Sequence, residues 1–327
     1  VTVDIKDIFQ YSTIEDISKL IDDKIHTSTI NIDNIVNVNS PTLSKKNTVS
    51  DTQIFTKHIK KNYYPLSSAQ KRIYFTSSMD EDSLSYNTPF GIEFNKIPDV
   101  DKLKFAFKRI VNSHEAFRTS FELTNTDVSQ IVKDYIDFEL PVNNFKNENF
   151  IRKFDLTKAP LMHAELDIYD NKALLQVDIH HIICDGVSIQ IFAKELCDFY
   201  NNYDKYVSEK TSISNDSLDY IDFAINEKIS DDDKKYWLSK FDNDIQILNM
   251  PTVYERPSII NHIGNSIYDS LENSRQIDKF CQKNGVTPYM FLLACFYVLL
   301  YKYTMQENIV VGSPVSGRTM SEFADTI

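Results

Sequence analysis

Ala173-Leu174-Leu175-Gln176-Val177-Asp178-Ile179 runs directly into His180-His181-Ile182-Ile183-Cys184-Asp185-Gly186, and from there into Val187-Ser188-Ile189-Gln190-Ile191-Phe192-Ala193-Lys194-Glu195-Leu196. The first segment is a short apolar run and predicts a buried strand. The third repeats apolar residues at helical spacing. Two histidines, an aspartate and a glycine therefore sit where a strand gives way to a helix. A loop at such a junction can hold an imidazole over a pocket while the backbone at the glycine comes close to a ligand. Neighbouring strand residues point to opposite faces, so if His181 faces the pocket, His180 faces the structure.

The rest of the composition narrows the function classes. With 327 residues, of which 42% are hydrophobic, the chain can fill two domains or one large two-lobed one. Asp and Glu number 47 against 35 Lys and Arg, a net charge of −12, which argues against nucleic acid as the main partner. The local basic run Lys57-His58-Ile59-Lys60-Lys61 lies in a polar stretch and reads as a solvated linker. The four cysteines (Cys184, Cys197, Cys281, Cys295) have no CxxC spacing and read as reduced thiols of a cytoplasmic protein. The longest apolar run, Phe291 to Leu300, is too short to span a bilayer, and the N-terminus has no signal-peptide pattern, so no membrane is expected.

Along the chain, Ile14, Ile17, Leu20, Ile21 and Ile25 follow a capping-box pattern at Ser12-Thr13-Ile14-Glu15 and predict a small helical piece over 1–25. Residues 26–62 are rich in Asn, Ser, Thr, Asp and Lys and predict an extended linker. Globular patterning starts at Tyr63. Ser67 or Ser68 caps a helix. Gly91 to Phe94 reads as a strand. Pro98-Asp99-Val100-Asp101 opens a helix with Leu103, Ala106, Phe107, Ile110 and Val111 on one face. Residues 161–168 and 173–179 form a hairpin about Asp170-Asn171. Residues 258–271 and 309–312 read as strands, and Pro288 starts a long apolar helix from Tyr289 to Tyr303. The alternation of helices and strands predicts an α/β layered fold.

The stretch His180 to Gly186 resembles the His-His-three residues-Asp-Gly motif of nonribosomal peptide synthetase condensation domains. Four further segments carry the same resemblance, in family order. Ser67-Ser68-Ala69-Gln70-Lys71-Arg72 resembles the first motif. Ser113-His114-Glu115-Ala116-Phe117-Arg118-Thr119 resembles the second, with Ser113 for the usual arginine and Phe117 for leucine. Phe154 to Leu161 matches a recurring family segment, and Tyr220 to Ala224 resembles the fourth motif. The resemblance covers residues 63–327 and is strongest to the subtype that condenses an L-residue donor. Residues 308–318 resemble the stretch before the fifth motif, of which Ile327 is the first residue, so the resemblance implies a truncated domain. Residues 7–14 resemble the end of a carrier protein.

The resemblance implies a chloramphenicol acetyltransferase-like two-lobed α/β fold, with an N-terminal lobe over 63–236, an incomplete C-terminal lobe over 237–327, and a tunnel between them. It also implies an acyltransferase of antibiotic and secondary-metabolite synthesis. A carrier-bound amine attacks the peptidyl thioester of an upstream carrier to form a peptide bond. No cofactor is bound directly. The phosphopantetheine arms belong to the upstream and downstream carrier partners, and an adenylation domain is adjacent. The rival readings are an epimerisation domain of the same superfamily and an inactive or docking module.

The resemblance makes His181 the catalytic group, since an imidazole accepts a proton near neutral pH. The alternative, a hydrogen-bonded core histidine, is the expectation for His180. Asp185 is expected to hold the loop by an ion pair, with Arg118 as first partner and Arg72 as second. Gly186 leaves room for the amine or thioester, a turn requirement being the alternative. The amides opening the following helix are candidates to steady a developing oxyanion. Ser188 and Ser316 are expected to cap or line the tunnel, and Arg318 to be a solvated loop arginine or one that reaches a carrier arm. Cys184 is a weak nucleophile candidate, and no metal site is expected from His180, His181, Cys184 and Asp185, because adjacent histidines rarely share one ion.

Overall fold

The computed structural model describes residues 55, 57–80, 83–124, 127–208, 218–228, 230–241, 246–254, 265, 267, 269–270, 274–318 and 320–327. The expected carrier-like helix over 1–25 and most of the linker and of the 258–271 strand lie outside these residues. In chain order the elements are β1 (Tyr64–Pro65), α1 (Ser68–Met79), β2 (Asn87–Phe94), α2 (Val100–Ser113), a 3₁₀ turn (Glu115–Arg118), β3 (Thr119–Leu123), β4 (Val128–Val132), β5 (Val142–Asn143), β6 (Met162–Tyr169) and β7 (Lys172–His180). There follow α3 (Gly186–Asn201), α4 (Tyr203–Ser208), α5 (Tyr220–Asn226), α6 (Asp231–Lys240), α7 (Ser274–Asn284), α8 (Pro288–Thr304) and a 3₁₀ turn (Ser321–Phe323).

Two compact units emerge. One takes the described residues as far as Lys228 together with Ser316–Ile327; the other lies within Ile229–Val315. The stretch 237–327, expected to be one lobe, is thus shared between the units.

The first unit is built on a four-stranded sheet in the order β2-β7-β6-β5. β2 and β6 both pair antiparallel with β7, and β5 runs parallel to β6. Asp170 and Asn171 join β6 to β7 with φ of 48° and 59°. Both lie in the left-handed region that Asp and Asn tolerate best after glycine and that a two-residue hairpin turn requires. The alternation along β7 decides how the sheet is used. Ala173, Leu175, Val177 and Ile179 fall on one face with Phe90, Ile92 and Leu166 and join the hydrophobic core. Gln176, Asp178 and His180 fall on the other. That polar face is also covered: Asp178 and Asp167 are fully buried, and Gln176 Nε2 donates to Asp167 Oδ2 at 2.8 Å and to the Asn147 carbonyl at 2.9 Å. The expected buried strand is present, but its second face is buried among polar partners.

α2 and α3 cover the apolar face. α2 starts where Asp99 Oδ1 accepts the amides of Asp101 and Lys102, both at 3.1 Å. Its residues Leu103, Ala106, Phe107, Ile110 and Val111 are all fully buried, following the i, i+3, i+4, i+7, i+8 pattern. Phe192 of α3 meets Phe90, Phe107 and Phe117 with ring centroids 6.0, 5.6 and 6.0 Å away, all near edge-on. Burying each such ring contributes about 2–3 kcal/mol, so this cluster fixes α3, and with it the loop before α3, on the sheet.

A second, three-stranded antiparallel sheet has the order β1-β4-β3. In the second unit, α8 begins at Pro288, as expected, and Thr287 caps it. Its apolar side chains are mostly exposed, Leu300 being its one buried residue. Ile309 to Gly312 is not a strand, and Val310 is exposed. Among the described residues no neighbouring strand pairs with it, and a lone short apolar run has no ladder to join. Among the described residues, no single helix is long and apolar enough to cross a membrane.

Candidate functional site

β7 ends at His180, and the loop 181–185 turns the chain into α3. His180 is the last residue of the buried polar face. It is 5% exposed, and its Nδ1 accepts the amide of Ile182 at 3.2 Å. The Phe154 ring stands edge-on to it at 5.6 Å. Burial, aided by the nearby His181, pushes its pKa down to about 4. His180 is therefore a neutral structural histidine.

His181 takes the other direction and is exposed. Its amide donates to the Tyr86 carbonyl at 2.8 Å. Its Nδ1 lies 2.7 Å from the Cys184 carbonyl oxygen. A carbonyl can only accept, so Nδ1 carries the hydrogen. In the neutral ring this leaves Nε2 as a bare acceptor. The loop thus folds back on its own imidazole and selects its tautomer.

Asp185 is the N-cap of α3. Its Oδ1 accepts the Ser188 amide and hydroxyl, both at 2.7 Å, and its own amide donates back to Ser188 Oγ at 3.1 Å. The Ser188 amide is therefore engaged in capping and is not free for an oxyanion. The ion-pair partner of Asp185 is Arg318, not Arg118 or Arg72. Arg318 Nη2 reaches Oδ1 at 2.9 Å and Nε reaches Oδ2 at 3.1 Å, a two-pronged pairing. Burial disfavours the Asp185 charge, but Arg318 and Ser188 outweigh it and hold its pKa below the ordinary 3.8. The same guanidinium donates through Nη1 to the carbonyls of Phe323, Ala324 and Thr326 at 3.0, 3.3 and 2.6 Å. Arg318 is thus not a solvated loop residue; it ties the segment 316–327 to the start of α3.

Arg118 is buried in the first unit and donates to the backbone carbonyls of Lys133 and Asp134. Arg72 lies exposed on α1. Both belong to matching motifs, but neither supports the loop through Asp185. Nothing in the sequence pointed to Arg318 as the partner of Asp185, which lies 133 positions away. Gly186 is the exposed first residue of α3. The positive-φ glycines among the described residues are Gly285 and Gly317, so a left-handed turn does not explain Gly186. Ser188 is buried in the cap, and Ser316 is exposed, its Oγ accepting the Arg318 amide at 3.4 Å.

Burial pushes the Cys184 thiol up to about 12, so it has no thiolate to offer near neutral pH. Among the described residues, no group of three or more His, Cys, Asp or Glu is placed to hold a metal ion. A cavity of about 200 Å³ lined by His114, Glu195, Asp219 and Asp325 contains no residue of the His181 loop.

The family model described as the condensation domain matches residues 60–327. Bacitracin synthase 2 of Bacillus licheniformis is 38% identical over 341 residues, covering 100% of this chain and 12% of that protein. Surfactin synthase subunit 2 of Bacillus subtilis (strain 168) is 34% identical over 270 residues, covering 79% of this chain and 7% of that protein. The chain spans about an eighth or less of the length of these relatives. Among solved structures, the first condensation domain of the CDA synthetase superposes with a TM-score of 0.62 at 16% identity, covering 81% of this chain and 68% of that one. The X-domain from teicoplanin biosynthesis gives 0.67 at 18% identity, covering 84% and 65%. These likenesses carry the fold, and it is the chloramphenicol acetyltransferase-like one expected.

Proposed function

The chain belongs to the condensation-domain family, and from that premise we propose that it forms a peptide bond between two carrier-bound substrates, with His181 as the group that manages the proton. The observation that carries this reading is the hydrogen bond from His181 Nδ1 to the Cys184 carbonyl, which leaves Nε2 bare on an exposed edge. The amine nitrogen attacks the thioester carbonyl carbon; the C–N bond forms and the C–S bond breaks. One amine proton passes to His181 Nε2 and is returned to the departing sulfur, giving an amide and a free pantetheine thiol. General-base help of this kind contributes about 10²–10⁴-fold, and holding amine and thioester together supplies much of the rest.

Condensation domains work beside carrier and adenylation domains. We assign this chain an upstream peptidyl carrier as donor, a downstream one as acceptor, and an L-residue donor. The thioesters arrive on phosphopantetheine arms, which are substrate arms of the partners. The match to bacitracin synthase 2 over the whole chain supports reading 1–62 as synthetase sequence. A cytoplasmic location fits the four free thiols.

The test presents donor-loaded and acceptor-loaded carriers to the protein and follows dipeptide release. His181→Ala should lose about 10²–10⁴ in rate with its fold retained. A folded His181→Ala protein that condenses at the original rate sinks the assignment. Inversion of the donor α-carbon without bond formation would favour epimerisation instead.

A further inference from the structure

The first matching motif contributes a glutamine that the chemistry above does not use. Gln70 in α1 is 3% exposed, and Gln130 in β4 is 1% exposed. Gln70 Oε1 accepts the Ser67 amide at 3.0 Å. Gln70 Nε2 has two protons and two acceptors, Gln130 Oε1 at 3.0 Å and the Ile182 carbonyl at 3.4 Å. Gln130 Nε2 in turn donates to the Pro65 carbonyl at 2.8 Å. The direction of the chain is set by its ends, since Ser67 can only donate there and Pro65 and Ile182 can only accept. Turning the Gln70 amide over would set its oxygen against two other oxygens and its NH₂ against an amide.

Ile182 follows His181 directly. Within the loop, the Ile182 amide is held by His180 Nδ1, the Ile183 amide by the His180 carbonyl at 3.1 Å, and the imidazole by the Cys184 carbonyl. Those anchors are internal and can shift together. Gln70 grips the loop from another element, as the Tyr86 carbonyl does at the His181 amide. We infer that Gln70 is a positioning residue for His181: it fixes the Ile182–Ile183 peptide so that the Cys184 carbonyl stays on Nδ1 and Nε2 stays bare. The inference rests on reading His181 as the proton acceptor.

A matched pair of variants tests it. Gln70→Glu and Gln130→Glu each bury one carboxylate in the same place. In Gln70→Glu the Ile182 carbonyl loses its donor and the Gln130 oxygen meets a carboxylate, while Gln130 still donates to Pro65. In Gln130→Glu, Gln70 keeps both its acceptors. The readout is the ¹⁵N shifts of the His181 ring in the full chain, together with kcat and KM for condensation. We expect Gln70→Glu to give a mixture of the two neutral tautomers and a fall in kcat of about tenfold or more with KM little changed. Gln130→Glu should keep the original ring shifts. Should a buried carboxylate prevent folding, Gln70→Met and Gln130→Met make the same contrast without charge. A folded Gln70 variant with the original ring shifts, or an equal disturbance from both positions, overturns the inference. The ring shifts do not depend on turnover. An inert His181→Ala result would therefore fall on the catalytic reading and leave the positioning result to stand or fall separately.

Discussion

Two histidines of the first unit, His181 and His58, are held in opposite ways. His181 gives one nitrogen to a carbonyl and leaves the other bare on an exposed edge. His58 has a side chain only 10% exposed, with Nδ1 2.9 Å from Asp222 Oδ1 and Nε2 3.5 Å from Glu115 Oε2. Its backbone amide also donates to Asp222 Oδ1 at 2.5 Å. Nδ1 pairs with Asp222 and Nε2 lies among carboxylates inside the unit, so His58 fastens the strap at 57–60 to the body of the unit from a nearly buried position. The contrast teaches that partner chemistry alone does not mark a reactive histidine. What separates the two rings is exposure: His181 is exposed, whereas the His58 ring is nearly buried beside two carboxylates.

The largest effect that could break this contrast is on rate. His181→Ala should remove about 10²–10⁴ of the condensation rate, while His58→Ala should leave it nearly intact; equal losses would erase the distinction. Next is the support of the loop. Asp185→Ala removes the cap of α3 and strands Arg318, whose side chain is 15% exposed. It should lower stability by about 2–4 kcal/mol in denaturant unfolding. Because the folded Asp185 pKa lies below the ordinary value, its contribution is present above about pH 4 and fades as pH falls through the folded value. The gap between wild type and variant should close in acid. A constant gap down to pH 2 would show that the carboxylate charge is not the cause.

A third effect lies beside His58. Burial, reinforced by Glu115 and Asp222, pushes Asp219 up to about 6. A raised carboxyl pKa stabilises the fold below its unfolded value near 3.8 and loses that contribution as pH rises through about 6. Asp219→Asn should therefore gain on wild type by about 2 kcal/mol between pH 4 and pH 7.5 in parallel thermal melts. No change in the difference would mean that Asp219 is not under strain. The smallest effect is the stability cost of His58→Ala, about 1–2 kcal/mol, because Asp222 keeps the amides of residue 58 and of Asp219. A larger cost would make the strap a bigger part of the unit than its contacts imply.

Much of the fold was legible because local patterns and tertiary needs agreed. The hairpin at Asp170-Asn171, the capped amphipathic α2 and the Pro288 start of α8 each carry their signal within a few residues. β1 and β4 did not stand out. A two-residue strand has no period, and Val128 to Val132 mixes Ser and Gln with its valines and isoleucine. Ile309 to Gly312 misled in the other direction, since apolar content without a pairing strand is not a ladder. At the site, the loop and the opposite directions of His180 and His181 followed from position at a strand end. The partner of Asp185 did not follow, and Arg118 and Arg72 were preferred because they sit in recognisable motifs.

The sequence alone determined which residues stand at the β7–α3 junction, that adjacent histidines part to opposite faces, and which family the motifs resemble. These are properties of residue identity and of backbone periodicity, and both are local. Only the tertiary structure decided that Arg318 completes Asp185, that the Cys184 carbonyl selects the His181 tautomer, and that Gln70 donates to the Ile182 carbonyl behind it. Ion pairs and hydrogen bonds form between groups brought within about 3 Å, whatever their separation along the chain.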